Sequence, residues 1–355
     1  MRYKILILFF CLMLACSSVF ADEGTSVCFE DFMADAVNGV PKIRYTGRTK
    51  ISMNMRSAAD KESESLGVLK EGDTVQIFGF DQVWLFCWDE TVGIYYIGRH
   101  NVDDIQPVSE DIPPYGVIPN RFVASTAVET PLLAAPNTDA EVLATYPADT
   151  RVSFWHIVDG WAVVPYRRVV GYLYMGDMKD LTPVSPSVEY AQVGDILAAF
   201  TTFYSTKQTE LNIGRMENLR VGSNYISKVY QPGESFSFNQ VAGPYRKNRG
   251  YMDSPVLING ESVAGSGGGT CQISTTLYNA LLQLPDGIII LYRHAHGPSG
   301  ATYAPHGVDA AVGRDLGGGN SIELDLRFRN DYDFPIALDC SVQNGALCIC
   351  IRKAD

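Results

Sequence analysis

The chain has 355 residues, of which 46% are hydrophobic and 11% aromatic; that composition describes folded globular units rather than a disordered chain, and the length exceeds what one hydrophobic core ordinarily serves. Acidic residues outnumber basic ones 40 to 28, a formal net charge of −12. This excludes nucleic acid as an expected partner, because phosphate binding needs a basic surface.

Residues 1–21 read as an export signal. MRYK is basic, ILILFFCLMLAC is apolar but short for a bilayer span, and Val19-Phe20-Ala21 suits cleavage before Asp22. A second reading places a lipid on Cys16, in Leu14-Ala15-Cys16. No later segment reaches the run of roughly 18 apolar residues that a transmembrane helix needs, so no transmembrane segment is expected in the mature chain. Removal of the signal leaves Cys28, Cys87, Cys271, Cys340, Cys348 and Cys350. An even number in an exported chain suggests disulfides, but the C-terminal three argue for free thiols. ALDCSVQNGALCICIR reads as a hairpin turning at Asn344-Gly345. In that register Cys340 faces Ile349, while Cys348 and Cys350 point to the other side.

A repeat occupies residues 53–176. GDTVQIFGFDQVWLFCWDETVGIYYIG ends at Gly98 and DTRVSFWHIVDGWAVVPYRRVVGYLYMG at Gly176. The spacing from Val75 to Trp84 equals that from Val152 to Trp161, and both copies close on Gly-x-x-Tyr-x-Gly. Short apolar strands with frequent turns predict two small β-barrels. The first copy, with Asn54-x-Arg56 and Leu66-Gly-x-Leu-x-x-Gly72, resembles the bacterial SH3 family; the second lacks the Asn-x-Arg opening. The resemblance implies SH3-like domains over 46–107 and 118–182 that bind cell-wall peptide or glycan. Trp84 and Trp161 are expected in the barrel cores, whereas Trp88 and Trp155 suit either packing or ligand contact. The proline-rich segments QPVSEDIPPYG and LTPVSPSVEY separate these units from a third, over 187–355.

The third unit alternates strand patterns (FTTFYS, SPVLING, GIIILYRHAH, IELDLRFRND and the final hairpin) with two helical ones, NIGRMENLRVGSNYISKV and TTLYNALLQL. It therefore reads as α+β. Cys271 stands where GSGGGT gives way to the second helix. A helix N-terminus offers unpaired N–H groups and a partial positive charge, both of which favour a thiolate. The preceding glycines permit positive φ and close backbone approach. Such a loop can direct N–H donors at the carbonyl under attack, or can serve as a tight turn before a buried thiol. A nucleophilic cysteine wants a histidine; His100 and His156 lie in the repeats, and His294, His296 and His306 follow Cys271 after one strand. The His294-Ala295-His296 pattern with an isolated cysteine is not a metal-ligand spacing, so no metal and no cofactor is expected.

The stretch from PGESFSFNQVAGP through GGGTCQISTTLYNA to RHAHGPSGATYAPHGVDAAV and LRFRNDYDFPI closely resembles the VanW family, over about residues 195–340. The fold class that follows is multidomain: two small all-β SH3-like barrels, then an α+β VanW domain. Some members of the family resemble L,D-transpeptidases that use a cysteine on peptidoglycan stem peptides. The resemblance makes Cys271 the nucleophile, His296 the base, through Arg293-x-x-His296, and Asp309 the orienting carboxylate. It makes Gly267, Gly268, Gly269, Gln272, Ser274 and Thr275 the substrate and oxyanion loop. His306 departs from the family pattern, so His294 and His306 stay open as alternatives to His296. Three functions follow: a cysteine acyl-transferase or peptidase on stem peptides or muropeptides, a non-catalytic wall-binding protein, and an adaptor for other envelope proteins.

Overall fold

The structure, a computed structural model, describes residues 32–355 apart from 34–35, 81–82, 110–111, 113–114, 259–260, 297–300, 306–307 and 316–321. Residues 1–21, the expected export signal, and Cys16, Cys28 and His306 lie outside the described residues.

The first repeat unit contains β1 (Tyr45–Thr49), β2 (Met53–Arg56), β3 (Ser65–Leu69), β4 (Thr74–Phe80), β5 (Trp84–Asp89), β6 (Gly93–Gly98) and β7 (Val102–Pro107). They form one antiparallel sheet in the order β3-β2-β6-β5-β4-β1-β7. Val75, Ile77, Leu85, Tyr95 and Ile97 point to one core, as period-2 alternation requires. The second unit repeats the element order with β8 (Phe122–Thr126), β9 (Thr130–Leu133), β10 (Val142–Tyr146), β11 (Arg151–Phe154), β12 (His156–Val158), β13 (Trp161–Tyr166), β14 (Val169–Tyr174) and β15 (Met178–Pro183). A break at Trp155 divides the counterpart of β4 into β11 and β12, and with it the unit into a five-stranded and a three-stranded sheet. Strand pairing among the described residues closes neither unit into a barrel. Trp161 is buried and Trp84 half-buried, while Trp155 is 3% exposed and packs into the core of the first unit. Of the two tryptophans that suited either packing or ligand contact, Trp155 is therefore a packing residue, and Trp88 stays half-buried.

Among the described residues the C-terminal unit contains eleven strands: β16 (Ile196–Phe203), β17 (Val229–Tyr230), β18 (Ser235–Ser237), β19 (Asp253–Ile258), β20 (Glu261–Ser266), β21 (Ile288–Arg293), β22 (Gly313–Asp315), β23 (Ile322–Leu324), β24 (Leu326–Asn330), β25 (Ile336–Gln343) and β26 (Ala346–Lys353). Its helices are α1 (Glu210–Ile226), α2 (Phe238–Ala242) and α3 (Thr270–Leu281). The main sheet runs β16-β26-β25-β17, and a second one runs β18-β24-β21. The β25–β26 hairpin turns at Asn344-Gly345, both at positive φ, with Cys340 opposite Ile349 as its sequence predicts. Cys87, Cys271, Cys340, Cys348 and Cys350 are all free thiols.

The central strands are covered on both sides. Along β26, Leu347, Ile349 and Ile351 face the helical core, whereas Cys348 and Cys350 join Val123 of the second repeat unit. Every residue of β16 is buried, the pattern of a strand with two covered faces. Phe203, at its end, packs on Tyr146 and Tyr166 with ring centroids 5.2 and 5.1 Å away. Ser153 adds hydrogen bonds to Thr201 Oγ1 at 2.8 and 2.9 Å, and Arg151 pairs with Asp339 at 3.0 Å. The proline-rich segment after residue 180 therefore joins two units that share a core. Phe203→Ala would empty that joint and is expected to cost about 3–5 kcal/mol, read as a lowered midpoint in chemical denaturation.

Candidate active site

Cys271 is the second residue of α3. Its cap is Gly269, at φ 107°, a left-handed conformation that favours glycine. Gly267 has φ 87°, and a Cβ there would fall 2.4 Å from Tyr245 Cβ. Gly268 has negative φ, but a Cβ would meet Pro255 O and Ser254 Oγ at 2.3 Å. The glycines thus let the loop turn and pack between Tyr245, the Ser254-Pro255 backbone and Arg215. Gln272 N–H and Thr270 N–H turn back onto Gly269 O and Gly267 O. The Cys271 N–H has no backbone acceptor among the described residues.

One face of α3 is bonded to the extended segment 308–312. Asn279 Nδ2 donates to Val308 O at 2.7 Å, and Ser274 Oγ to Ala310 O at 2.6 Å. Thr275 Oγ1 accepts from Ala310 N–H at 3.0 Å, and the Cys271 thiol meets Val312 O at 3.4 Å and Val312 N at 3.5 Å. Positions 271, 274/275 and 279 are one helical face, and they meet alternate residues of an extended chain. The intervening side chain, Asp309, consequently projects the other way. There its Oδ2 accepts from His296 N at 2.8 Å and lies 2.5 Å from His296 Nδ1. Arg293 bonds both Asp309 O, at 2.6 Å, and Asp309 Oδ1, at 3.2 Å. With Nδ1 so occupied, Nε2 is the ring nitrogen left to serve the Cys271 side chain, whose charge His296 feels.

The structure thus brings Cys271, His296 and Asp309 into one line. His294 is exposed, with Nδ1 2.7 Å from Ala295 O, and it is not part of that line. Gln272 is directed to the opposite face, where Nε2 donates to Thr202 Oγ1 and Phe203 O, both at 3.1 Å, and Oε1 accepts from Arg215 at 2.7 Å. Ser274 and Thr275 have their hydroxyls committed to the 308–312 seam. Of the six residues expected in the loop, these three are held as fasteners.

Burial works to lower the pKa of His296, but the hydrogen bond and charge of Cys271, followed by those of Asp309, outweigh it and raise it above the ordinary value. Burial would raise Asp309, whose side chain is 2% exposed, yet the bonds and charge of His296, with Arg293 beside it, hold its pKa below the usual carboxylate range. Such a chain can draw a proton from a thiol while a carboxylate fixes the imidazole's tautomer. By contrast, burial pushes the Cys340 thiol up to about 12 and raises Cys87 also, which leaves both inert.

Two residues of the site carried no signal in the sequence. Tyr245 packs on Gly267 and donates to Asn239 Oδ1 at 2.6 Å; Asn239 is in turn held by the buried Asp325 through its N–H, at 3.0 Å. Tyr303 feels the charges of Cys271, Arg215 and Asp309; burial first, and then Cys271, raise its pKa, so its hydroxyl keeps its proton. Tyr303 lies inside the stretch RHAHGPSGATYAPHGVDAAV and Tyr245 directly after PGESFSFNQVAGP, but no local pattern gives either a role. Asn279 was legible in principle, as a polar residue two turns beyond Cys271 on the same helical face.

This α+β unit, with its helix-borne cysteine, carries a VanW-like domain: residues 214–352 match the family model described as VanW like protein. Over 160 residues, 45% of this chain, it is 35% identical to the "Uncharacterized protein YoaR" of Bacillus subtilis (strain 168), of which the match covers 48%. Over 121 residues, 33% of this chain, it is 31% identical to the "Vancomycin B-type resistance protein VanW" of Enterococcus faecalis (strain ATCC 700802 / V583), of which 41% is covered. The chain thus matches less than half the length of either relative. Among solved structures, NlpC2 from Trichomonas vaginalis aligns over 88% of this chain and 98% of its own at 12% identity, but with a TM-score of 0.18 that carries no argument. No described helix is long and apolar enough to cross a membrane.

Because the folded pKa of His296 is raised, its protonation adds stability that is fully present below about pH 6.5 and is lost as pH rises through the folded value. The Asp309 contribution has the opposite sign and is lost as pH falls through its lowered value. In an NMR titration the His296 ring is expected to titrate above the ordinary histidine value, and lower in both Asp309→Asn and Cys271→Ala.

Proposed function

We propose that the chain is an exported cell-envelope protein whose C-terminal domain performs cysteine-dependent acyl transfer on peptidoglycan stem peptides. The observation that carries this reading is the Cys271–His296–Asp309 line, which joins a thiol, an imidazole and a buried carboxylate in the order that nucleophilic catalysis requires. Cys271 Sγ attacks an amide carbonyl as His296 takes the thiol proton. The tetrahedral oxyanion then lies within reach of the Cys271 N–H at the helix start. On collapse, the C–N bond breaks and His296 returns the proton to the leaving amine. Asp309 keeps the ring oriented and supports the imidazolium. A second stem amine resolves the thioester in a transpeptidase, and water does so in a peptidase.

The substrate class rests on the family resemblance and on a relative named for vancomycin resistance. In the same reading, residues 46–107 and 118–182 are SH3-like wall-binding domains ahead of the catalytic domain at 187–355, and residues 1–21 direct export. The recurrence of one element order in the two β units supports their being copies of one domain.

Incubation of the purified protein with defined muropeptides, read by mass spectrometry, tests the chemistry. New cross-links or shortened stems are expected, with a thioester mass on Cys271. Cys271→Ala should abolish the adduct and reduce product formation at least about 10³-fold. Muropeptides left intact by both proteins, yet bound equally by each, would make the domain a binding module.

A further inference from the structure

On the reading that Cys271 is an acyl-transfer nucleophile, we propose that Arg215 binds a substrate carboxylate beside the scissile bond, so that the preferred acyl donor is a peptide whose leaving residue carries a free C-terminal carboxylate. Arg215 lies on α1 and passes over the glycine loop. Its Cγ is 3.1 Å, and its Nη1 3.7 Å, from where a Gly269 Cβ would stand, two residues before the nucleophile. A guanidinium presents five N–H donors in a planar fork. Among the described residues Arg215 has one side-chain acceptor, Gln272 Oε1 at 2.7 Å, reached through Nη2. Gln272 is itself held by Thr202 and Phe203. The stem of the arginine is therefore fixed while Nη1 keeps its donors.

The electrostatic surroundings support the assignment. The site's two other charged groups are matched to each other: Asp309 is satisfied by His296 and Arg293, and Arg293 is committed to Asp309. Arg215 is the cation without a carboxylate partner at this end of α3 among the described residues. Gly269, over which the arginine passes, caps the helix whose second residue is Cys271. A half-buried cation with spare donors beside a nucleophile suits a planar, bidentate anion. A carboxylate on the residue after the scissile bond meets that requirement. When the C–N bond breaks, that residue leaves as a free amino acid, its amine protonated by His296 and its carboxylate on Arg215.

The test uses two tetrapeptides of one stem-type sequence, one ending in a free carboxylate and the other in a carboxamide. Turnover by the full protein is followed by mass spectrometry. The wild type should prefer the acid by about 10- to 100-fold in kcat/KM, the range of one hydrogen bond to a charged group. Arg215→Gln should bring the acid-to-amide ratio to about one, and Arg215→Lys should restore part of it. A loss of fold or of Gln272 positioning lowers both rates and leaves the ratio standing, so a wild-type ratio that survives in Arg215→Gln overturns the proposal. Equal turnover of acid and amide by the wild type also overturns it while sparing the acyl-transfer reading. Turnover of neither peptide removes both.

Discussion

The seam between α3 and residues 308–312 is the constraint on which the rest of the site depends. Asn279, Ser274, Thr275 and Cys271 form one polar face on a helix whose Ile273, Leu277, Ala280 and Leu281 are buried in the apolar core. Buried hydroxyls and amides must find partners, and the backbone of Val308, Ala310 and Val312 supplies them in register. Once that register is set, period-2 geometry leaves Asp309 one direction to point, toward His296. A slip of one residue would turn the carboxylate into the helix and leave the imidazole without its orienting bond.

Much of the architecture was legible from spacing alone. Equal distances from Val75 to Trp84 and from Val152 to Trp161 identify a repeat because a recurring strand-and-turn unit keeps its apolar period. Asn344-Gly345 fixes its hairpin because both residues tolerate positive φ. The thiol at a helix start was legible too, since four glycines before a helical pattern are hard to explain by packing alone. Their structural use proved broader than the supply of N–H donors. Gly267 and Gly269 supply the turn, and Gly268 leaves room for the backbone of Pro255.

What could not be read was set by tertiary contact. Among His294, His296 and His306, local sequence offers no ground for choice; the family resemblance favoured His296, and the bonds from Asp309 single it out among the described residues. Gln272, Ser274 and Thr275 sit beside the nucleophile in sequence, and this adjacency suggested contact with substrate. Helical geometry sends Gln272 to the sheet and the two hydroxyls to the seam. Tyr245, Tyr303 and Arg215 come from three separate segments and enter the site through the fold alone. The division of the second repeat into two sheets was equally hidden, because it follows from Trp155 leaving its own unit for the core of the first.

The doubly covered β16 redraws the unit that can be isolated. A boundary at residue 187, natural by its prolines, would strip Val123, Tyr146 and Tyr166 from Ile196, Ala199 and Phe203, and expose an apolar face on the strand to which Gln272 of the site is bonded. The second β unit is in that sense half of the wall of the domain that follows it. Loss of the one by proteolysis would leave the other with a solvent-facing strand, prone to pair with any chain that offers the same edge or face.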